Sequence, residues 1–172
     1  LFGDYNPGGR LAVTFPKSVG QIPFAFPFKP GSDESSETSV YGALYPFGHG
    51  LSYTTFQYSD LVISPSKQGV QGNISISCTI KNIGQREGDE VVQLYLRDEV
   101  SSVTTYTQVL RGFERITLKP EASHTVHFEL TPQELGIWDK QMNFTVEPGM
   151  FKVMIGSSSK DIRLKGEFEI AQ

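Results

Sequence analysis

The sequence predicts an all-β protein, an antiparallel β-sandwich over residues 57–172 that carries an irregular N-terminal extension. Three observations predict it. From Phe56 onward apolar residues recur with a period of two, the pattern of strands buried on one face. Turn chemistry separates those runs at Ser64-Pro65, Asn82-Ile83-Gly84, Lys119-Pro120-Glu121 and Glu147-Pro148-Gly149. No stretch of useful length carries a helical period.

The extension comes first in the chain. Asn6-Pro7-Gly8-Gly9 is turn chemistry. Leu11, Val13 and Phe15 alternate with Arg10, Ala12 and Thr14, which predicts a short half-buried strand stopped by Pro16. One strand alone buries too little to be stable, so it needs a partner. The polar tract 32–39 predicts a surface loop with Asp33, Glu34 and Glu37 solvated. Residues 44–56 then form a connector in which Tyr45, Phe47, Leu51, Tyr53 and Phe56 supply much apolar surface. Flexible linkers are Gly/Ser-rich and non-aromatic, so this connector is expected to pack. Phe24, Phe26, Phe28 and Tyr45 would otherwise form an exposed apolar patch. Residues 1–55 are therefore expected to lie along the sandwich or against a second copy of the chain.

The sandwich strands follow. Leu61-Val62-Ile63 gives a first, and Ile74, Ile76, Cys78 and Ile80 give a second with Ser75, Ser77, Thr79 and Lys81 on its other face. Val92, Leu94 and Leu96 alternate with Gln93, Tyr95 and Arg97. Residues 99–107 read as a Ser/Thr-rich loop, 109–118 as a strand, and Val126, Phe128 and Leu130 as another. Residues 132–139 predict a short irregular corner. Phe151, Val153 and Ile155, then Ile162, Leu164, Phe168 and Ile170, close the chain. That is about seven strands, as in an antiparallel sandwich of roughly 100 residues. There is no Cys…Trp…Cys framework of the antibody type, so a fibronectin type III-like sandwich fits better.

Composition narrows the function. With 172 residues, 38% hydrophobic and 20% charged, the chain can build a core and does not read as disordered. The net charge of −4 comes with no basic stripe, which argues against a nucleic-acid partner. The apolar run 22–28 is too short to span a bilayer and is broken by prolines, so no membrane partner is expected. The start at Leu1 does not read as a secretory leader, and a mature or trimmed chain is expected. The single cysteine, Cys78, excludes an intrachain disulfide and a cysteine-based zinc site.

Ordered motifs carry a resemblance. Tyr45-Pro46-Phe47-Gly48-His49-Gly50-Leu51-Ser52-Tyr53-Thr54 resembles the "YPFGxGLSYT" block of glycoside hydrolase family 3, which includes many β-glucosidases and β-xylosidases. Asn6-Pro7-Gly8-Gly9-Arg10-Leu11 is similar to its "NPSGRL" element, with Gly8 in the Ser position and Ala12 replacing a proline. Gly88-Asp89-Glu90-Val91-Val92-Gln93-Leu94-Tyr95 resembles "GdEVvQLY", and Leu110-Arg111-Gly112-Phe113-Glu114-Arg115 resembles "LkGFeR". Val146-Glu147-Pro148-Gly149-Met150-Phe151 and Gly156-Ser157-Ser158-Ser159-Lys160-Asp161-Ile162-Arg163 are similar to "vEPGxF" and "GsSSrDIr". Thr105-Tyr106 stands where the family has Arg-Pro, and Ala122 departs from its "KPGE" turn. The resemblance implies that residues 1–43 are the incomplete tail of an α/β sandwich domain and its loop, 44–56 the connector, and 57–172 the fibronectin type III-like domain.

It also implies where chemistry sits. Retaining glycoside hydrolysis needs two carboxyl groups about 5–5.5 Å apart. In this family the nucleophile is an Asp of an N-terminal barrel and the acid/base residue usually lies in the α/β sandwich, both expected upstream of residue 1. No catalytic, cofactor-binding or metal residue is assigned, and no cofactor is expected. Asp89 and Glu90 are adjacent on a strand, point to opposite faces and read as strand-entry salt-bridge residues. Glu114 and Arg115 read as a structural pair or solvated positions, and Glu147 as a turn-fixing residue. His124 and His127 fall on opposite faces, which argues against joint metal ligation. His49 is expected to pack or to bond the backbone. Trp138, Tyr106 and Tyr58 are the aromatics that sugar stacking would use. Trp138 is expected to be buried, since the family commonly has a core aromatic there. Tyr106 and His49 are the candidates for a ligand or interface contact.

The function expected is therefore structural: a C-terminal part of a β-glycosidase that buttresses the catalytic domains, with a loop for the active-site rim or the dimer interface. Its partners would be the upstream domains and, in a homodimer, a second copy, with carbohydrate met only through the parent enzyme. Placement in the periplasm or outside the cell is expected. The alternatives are a stand-alone module that binds carbohydrate or protein, and an independent hydrolase, against which the lack of a credible carboxylate pair argues.

Overall fold

The computed structural model describes residues 3–21, 24–32 and 42–172. The loop expected to carry Asp33, Glu34 and Glu37 lies outside the described residues. In the extension, strand β1 (Phe15–Pro16) pairs with β2 (Ala43–Tyr45) antiparallel. This is shorter than the strand expected over 10–16. Val13 and Phe15 are exposed, not half-buried. The reason is that the backbone at Leu11 is taken by the connector: Leu11 N–H donates to the His49 carbonyl at 2.9 Å, and Gly48 N–H donates to the Leu11 carbonyl at 2.8 Å.

The sandwich has two sheets. One runs in the order β3 (Phe56–Ser64), β5 (Ile74–Asn82), β8 (Ser123–Leu130). The other runs β4 (Lys67–Gly69), β12 (Ile162–Ala171), β11 (Gly149–Gly156), β6 (Gly88–Asp98), β7 (Val109–Leu118). All seven expected strands are present. The added edge strand β4 pairs parallel to β12, whereas the other pairings within these two sheets are antiparallel.

The core follows from the alternation. Ile74, Ile76, Cys78 and Ile80 of β5 are fully buried, and across the gap stand Val92, Leu94 and Leu96 of β6 with Phe151, Val153 and Ile155 of β11. Phe151 and Phe168 are register partners and stack with ring centroids 5.4 Å apart. Each such aliphatic or aromatic side chain contributes about 1.5–3 kcal/mol by leaving water. Burial, reinforced by the Glu114 charge, pushes the Cys78 thiol up to about 11, so it acts as a small apolar residue.

Three elements depart from the expectation for physical reasons. β3 begins at Phe56 rather than near Leu61, because a bulge between Ser59 and Val62, with Asp60 at φ 53, shifts the phase. Phe56 and Tyr58 face inward before the bulge, Leu61 and Ile63 after it, so the period of two breaks in the middle of one strand. The corner 132–139 contains one helical turn, α1 (Pro132–Leu135). Thr131 caps it and Glu134 reaches back to the Thr131 N–H at 2.8 Å, a reciprocal capping box with Pro132 in the first turn. Trp138 is not buried: it is 59% exposed on the short strand β9 (Ile137–Trp138), which pairs with β10 (Phe144–Thr145). Its two-strand ribbon stands off the core, and its only described ring contact is Phe144, edge-on at 5.5 Å.

Candidate functional site

The outer face of β6 is where the extension and the sandwich meet. Period-two reading places Gln93 and Tyr95 outward, yet both are buried, because the extension covers them. Phe26 stacks on Phe47 with centroids 4.7 Å apart and stands edge-on to Tyr95 at 5.7 Å and to Phe28 at 6.2 Å. Two backbone bonds rivet the layer down: Ser159 N–H to the Phe47 carbonyl at 3.0 Å, and Thr107 N–H to the Phe28 carbonyl at 2.8 Å.

Gln93 is the polar centre of the contact. Its Nε2 donates to the Ser157 carbonyl at 2.5 Å and to the Gly48 carbonyl at 3.3 Å, and its Oε1 accepts from the Tyr95 hydroxyl at 2.5 Å. Gly48 sits at φ +81, and a Cβ there would overlap the Gln93 amide. Only glycine meets both demands. With Gln93 and Tyr95 sharing their hydrogen bonds, the polar atoms of these two side chains are satisfied.

An ionic cluster lies at the Gly88 end of β6. Arg10 Nη2 donates to Glu90 Oε1 at 2.6 Å, with the two side chains only 10% and 4% exposed. The same carboxylate oxygen accepts the Val91 N–H at 3.1 Å. Tyr58 lies next to Glu90. Burial above all, then the Glu90 charge, drives its phenol far above the ordinary range. The Arg163 guanidinium covers the Tyr58 ring at 5.8 Å and grips Asp161 with two bonds of 2.6 and 2.7 Å. Arg163 accordingly holds the Asp161 carboxyl below its usual range. Asp161 also accepts from the Ser157 hydroxyl at 2.6 Å, which closes the circuit back to Gln93. Nearby, Asn6 accepts from Tyr53 N–H at 2.7 Å and donates to the Glu87 carbonyl at 3.1 Å.

Asp89 and Glu90 do separate to the two faces of β6. Asp89 takes Arg115 and the Thr117 hydroxyl, the latter at 2.6 Å, and these hydrogen bonds hold its carboxyl below the usual range. Each carboxylate is matched to an arginine, Glu90 to Arg10 of the extension and Asp89 to Arg115 of the neighbouring strand β7.

The remaining expected residues are distributed as follows. His49 stacks on Tyr45, ring centroids 5.0 Å apart, and its N–H donates to the Pro46 carbonyl at 3.1 Å. It belongs to the clamp. Tyr106 stands apart on the 99–107 loop, 42% exposed. Tyr58 does not point outward and offers no stacking face. Glu114 pairs with His124 at 3.7 Å, leaving Arg115 to Asp89. His127 is exposed on the other face of β8 from His124. Glu147 reaches beyond its turn to the Ser102 N–H at 2.8 Å and to the Ser102 hydroxyl. The sequence reading missed Arg10, Phe26, Gln93 and Tyr95 as one constellation. The available signal was a polar pair, Gln93 and Tyr95, set among apolar residues beside an aromatic-rich segment with nothing assigned to cover it.

Comparison with known proteins places these residues in context. Residues 1–53 match the glycosyl hydrolase family 3 C-terminal domain, and residues 90–159 match a fibronectin type III-like domain. A periplasmic beta-glucosidase of Salmonella typhimurium is 43% identical over 182 residues, covering 99% of this chain and 24% of that protein. A beta-xylosidase of Formosa agariphila is 43% identical over 169 residues, covering 96% of this chain and 23% of that protein. A solved β-glucosidase from Erythrobacter marinus superposes with a TM-score of 0.92 at 37% identity, over 99% of this chain and 22% of that one. The chain thus spans about a quarter of the length of the curated relatives it matches.

Proposed function

We infer that this chain, which belongs to glycoside hydrolase family 3 and matches the C-terminal region of its members, is the accessory part of a β-glycosidase. The observation that carries this reading is where the family blocks meet. Arg10, Gly48, Glu90, Gln93, Ser157 and Asp161 come from four separate blocks and converge on one clamp. The blocks therefore serve to hold the extension on the sandwich. The extension in turn presents Val13, Phe15, Leu44 and Tyr45 to the outside, an apolar face that a free module would not keep. Its occupant in this reading is the remainder of the glycosidase, since the relatives are about four times longer and the first 53 residues match the family 3 C-terminal domain. The domain divisions are 1–43, 44–56 and 57–172.

The parent enzyme would hydrolyse β-linked glucosides or xylosides, as the names of the relatives suggest, and act in the periplasm or outside the cell, as the Salmonella protein's name does. No helix of the described residues is long and apolar enough to cross a membrane. His49 and Tyr106 are the residues we put forward for contacts beyond the chain. The test is hydrolysis of chromogenic β-glucoside and β-xyloside by the purified chain, with a cooperative melt to show that it is folded. No turnover is expected. Turnover that persists through repurification would overturn the reading and send attention back to the carboxylates matched above.

A further inference from the structure

A second concavity has a different chemistry from the clamp. It encloses about 250 Å³ at the end of the sandwich, where the 99–107 loop meets the α1–β9 corner. Its floor is apolar, built on Leu96, Leu135 and Phe151 of the core. Trp138 and Tyr106 form exposed aromatic walls. Trp138 is braced by Phe144, whose ring occupies the space left by the missing Cβ of Gly136. The polar groups on the lining include Asp98 and Arg111. Burial raises the Asp98 carboxyl above its usual range. Arg111 makes no side-chain hydrogen bond among the described residues, and the nearby Glu134 carboxylate is already engaged by the Thr131 cap.

Physical chemistry selects the ligand. An apolar ligand would strip water from Asp98 and Arg111 without replacing its hydrogen bonds. An anion meets Asp98 and Glu134, and a cation meets Arg111. A neutral ring with apolar C–H faces and a rim of hydroxyls satisfies every wall: it stacks on the indole, donates to the carboxylate and accepts from the guanidinium. We propose that this cavity is a binding site for one neutral pyranose unit of a carbohydrate, with Trp138 as its platform and Asp98 and Arg111 as its hydroxyl readers. The ligand class follows from the cavity. Only the choice of probe rests on family membership, so a failed titration would leave the accessory reading of the clamp intact.

Trp138 is the sole tryptophan of the chain, so its emission reports this site alone. The experiment is a fluorescence titration of the 172-residue chain with cellobiose and with xylobiose, with sorbitol as the non-cyclic polyol control. A saturable change with at least one disaccharide, half-complete in the millimolar range, is expected, against a linear drift with sorbitol. Arg111→Ala should weaken binding about tenfold or more through loss of a charge-assisted hydrogen bond. Tyr106→Ala should weaken it less. Asp98→Asn, which keeps the shape, serves as a second variant should Arg111→Ala lower the melting temperature. A response that never saturates, that sorbitol reproduces, or that neither the Arg111 nor the Asp98 substitution changes would overturn the proposal.

Discussion

Replacing Arg10 by Met isolates what the ionic cluster contributes. Methionine keeps most of the aliphatic stem, so packing is largely preserved while the charge is lost. Glu90 would then remain 4% exposed beside Tyr58, still accepting the Val91 N–H but with no cation to balance its charge. Because both partners are nearly buried, the loss belongs to the buried class, about 3–5 kcal/mol, and not to the small surface class. For a chain of this length each kcal/mol moves the melting temperature by about 2–4 °C, so a loss of 3 kcal/mol predicts a fall of about 6–12 °C. The double variant Arg10→Met, Glu90→Gln removes both charges and keeps an acceptor for Val91, and should recover more than half of that fall. Calorimetry on the four proteins of the cycle gives the coupling energy. Chymotrypsin cleavage after Phe24 and Phe28 shows whether the extension lifts locally. A coupling below about 0.5 kcal/mol, together with unchanged cleavage, would refute the view that this pair holds the extension down.

Three further outcomes follow from the same structure. Gly48→Ala forces a Cβ into the Gln93 amide at a positive φ, and should cost about 1–3 kcal/mol, read as a lower melting temperature, whereas Gly31→Ala, also at positive φ but with open space around it, should cost less. Cys78 should resist thiol reagents at pH 8 in the native chain and react promptly in denaturant, since burial pushes it up to about 11. The Asp89 carboxyl is held below its unfolded value of about 3.9, so its contribution is full above that pH and is lost as pH falls through the lower, folded value. The melting-temperature gap between the parent and Asp89→Asn should therefore be largest at pH 6 and close below about pH 4.

The parts legible in the sequence were those whose cause is local. β5 could be read because every second residue, from Ile74 to Ile80, meets the same core. The turn at Lys119-Pro120-Glu121 could be read because its chemistry is its own. β3 was half-hidden, since the bulge at Asp60 re-phases the alternation and no residue type announces it. The Thr131–Glu134 capping box was present in the letters, yet one helical turn has no periodicity to draw the eye. The burial of Gln93 and Tyr95 could not be read locally, because their cover comes from residues 45 and more positions away. Trp138 was misplaced for the opposite reason: a large aromatic is usually covered, and whether anything arrives to cover it is decided by the orientation of β9 and β10.

The clamp also sets an order of events in the living cell. Among its hydrogen bonds are some that join positions 80 or more residues apart, such as Asn6 with Glu87 and Arg10 with Glu90, and its outermost rivet ties Phe47 to Ser159. A ribosome delivers Phe28 roughly 130 residues before Ser159, on the order of 10 s at the usual rate of synthesis. Phe26 has no β6 face to pack on until Asp98 has been added, and the Phe47 rivet waits longer still, for Ser159. The clamp is therefore among the last contacts of this chain to close, and the aromatic rings it covers stay open to aggregation until it does.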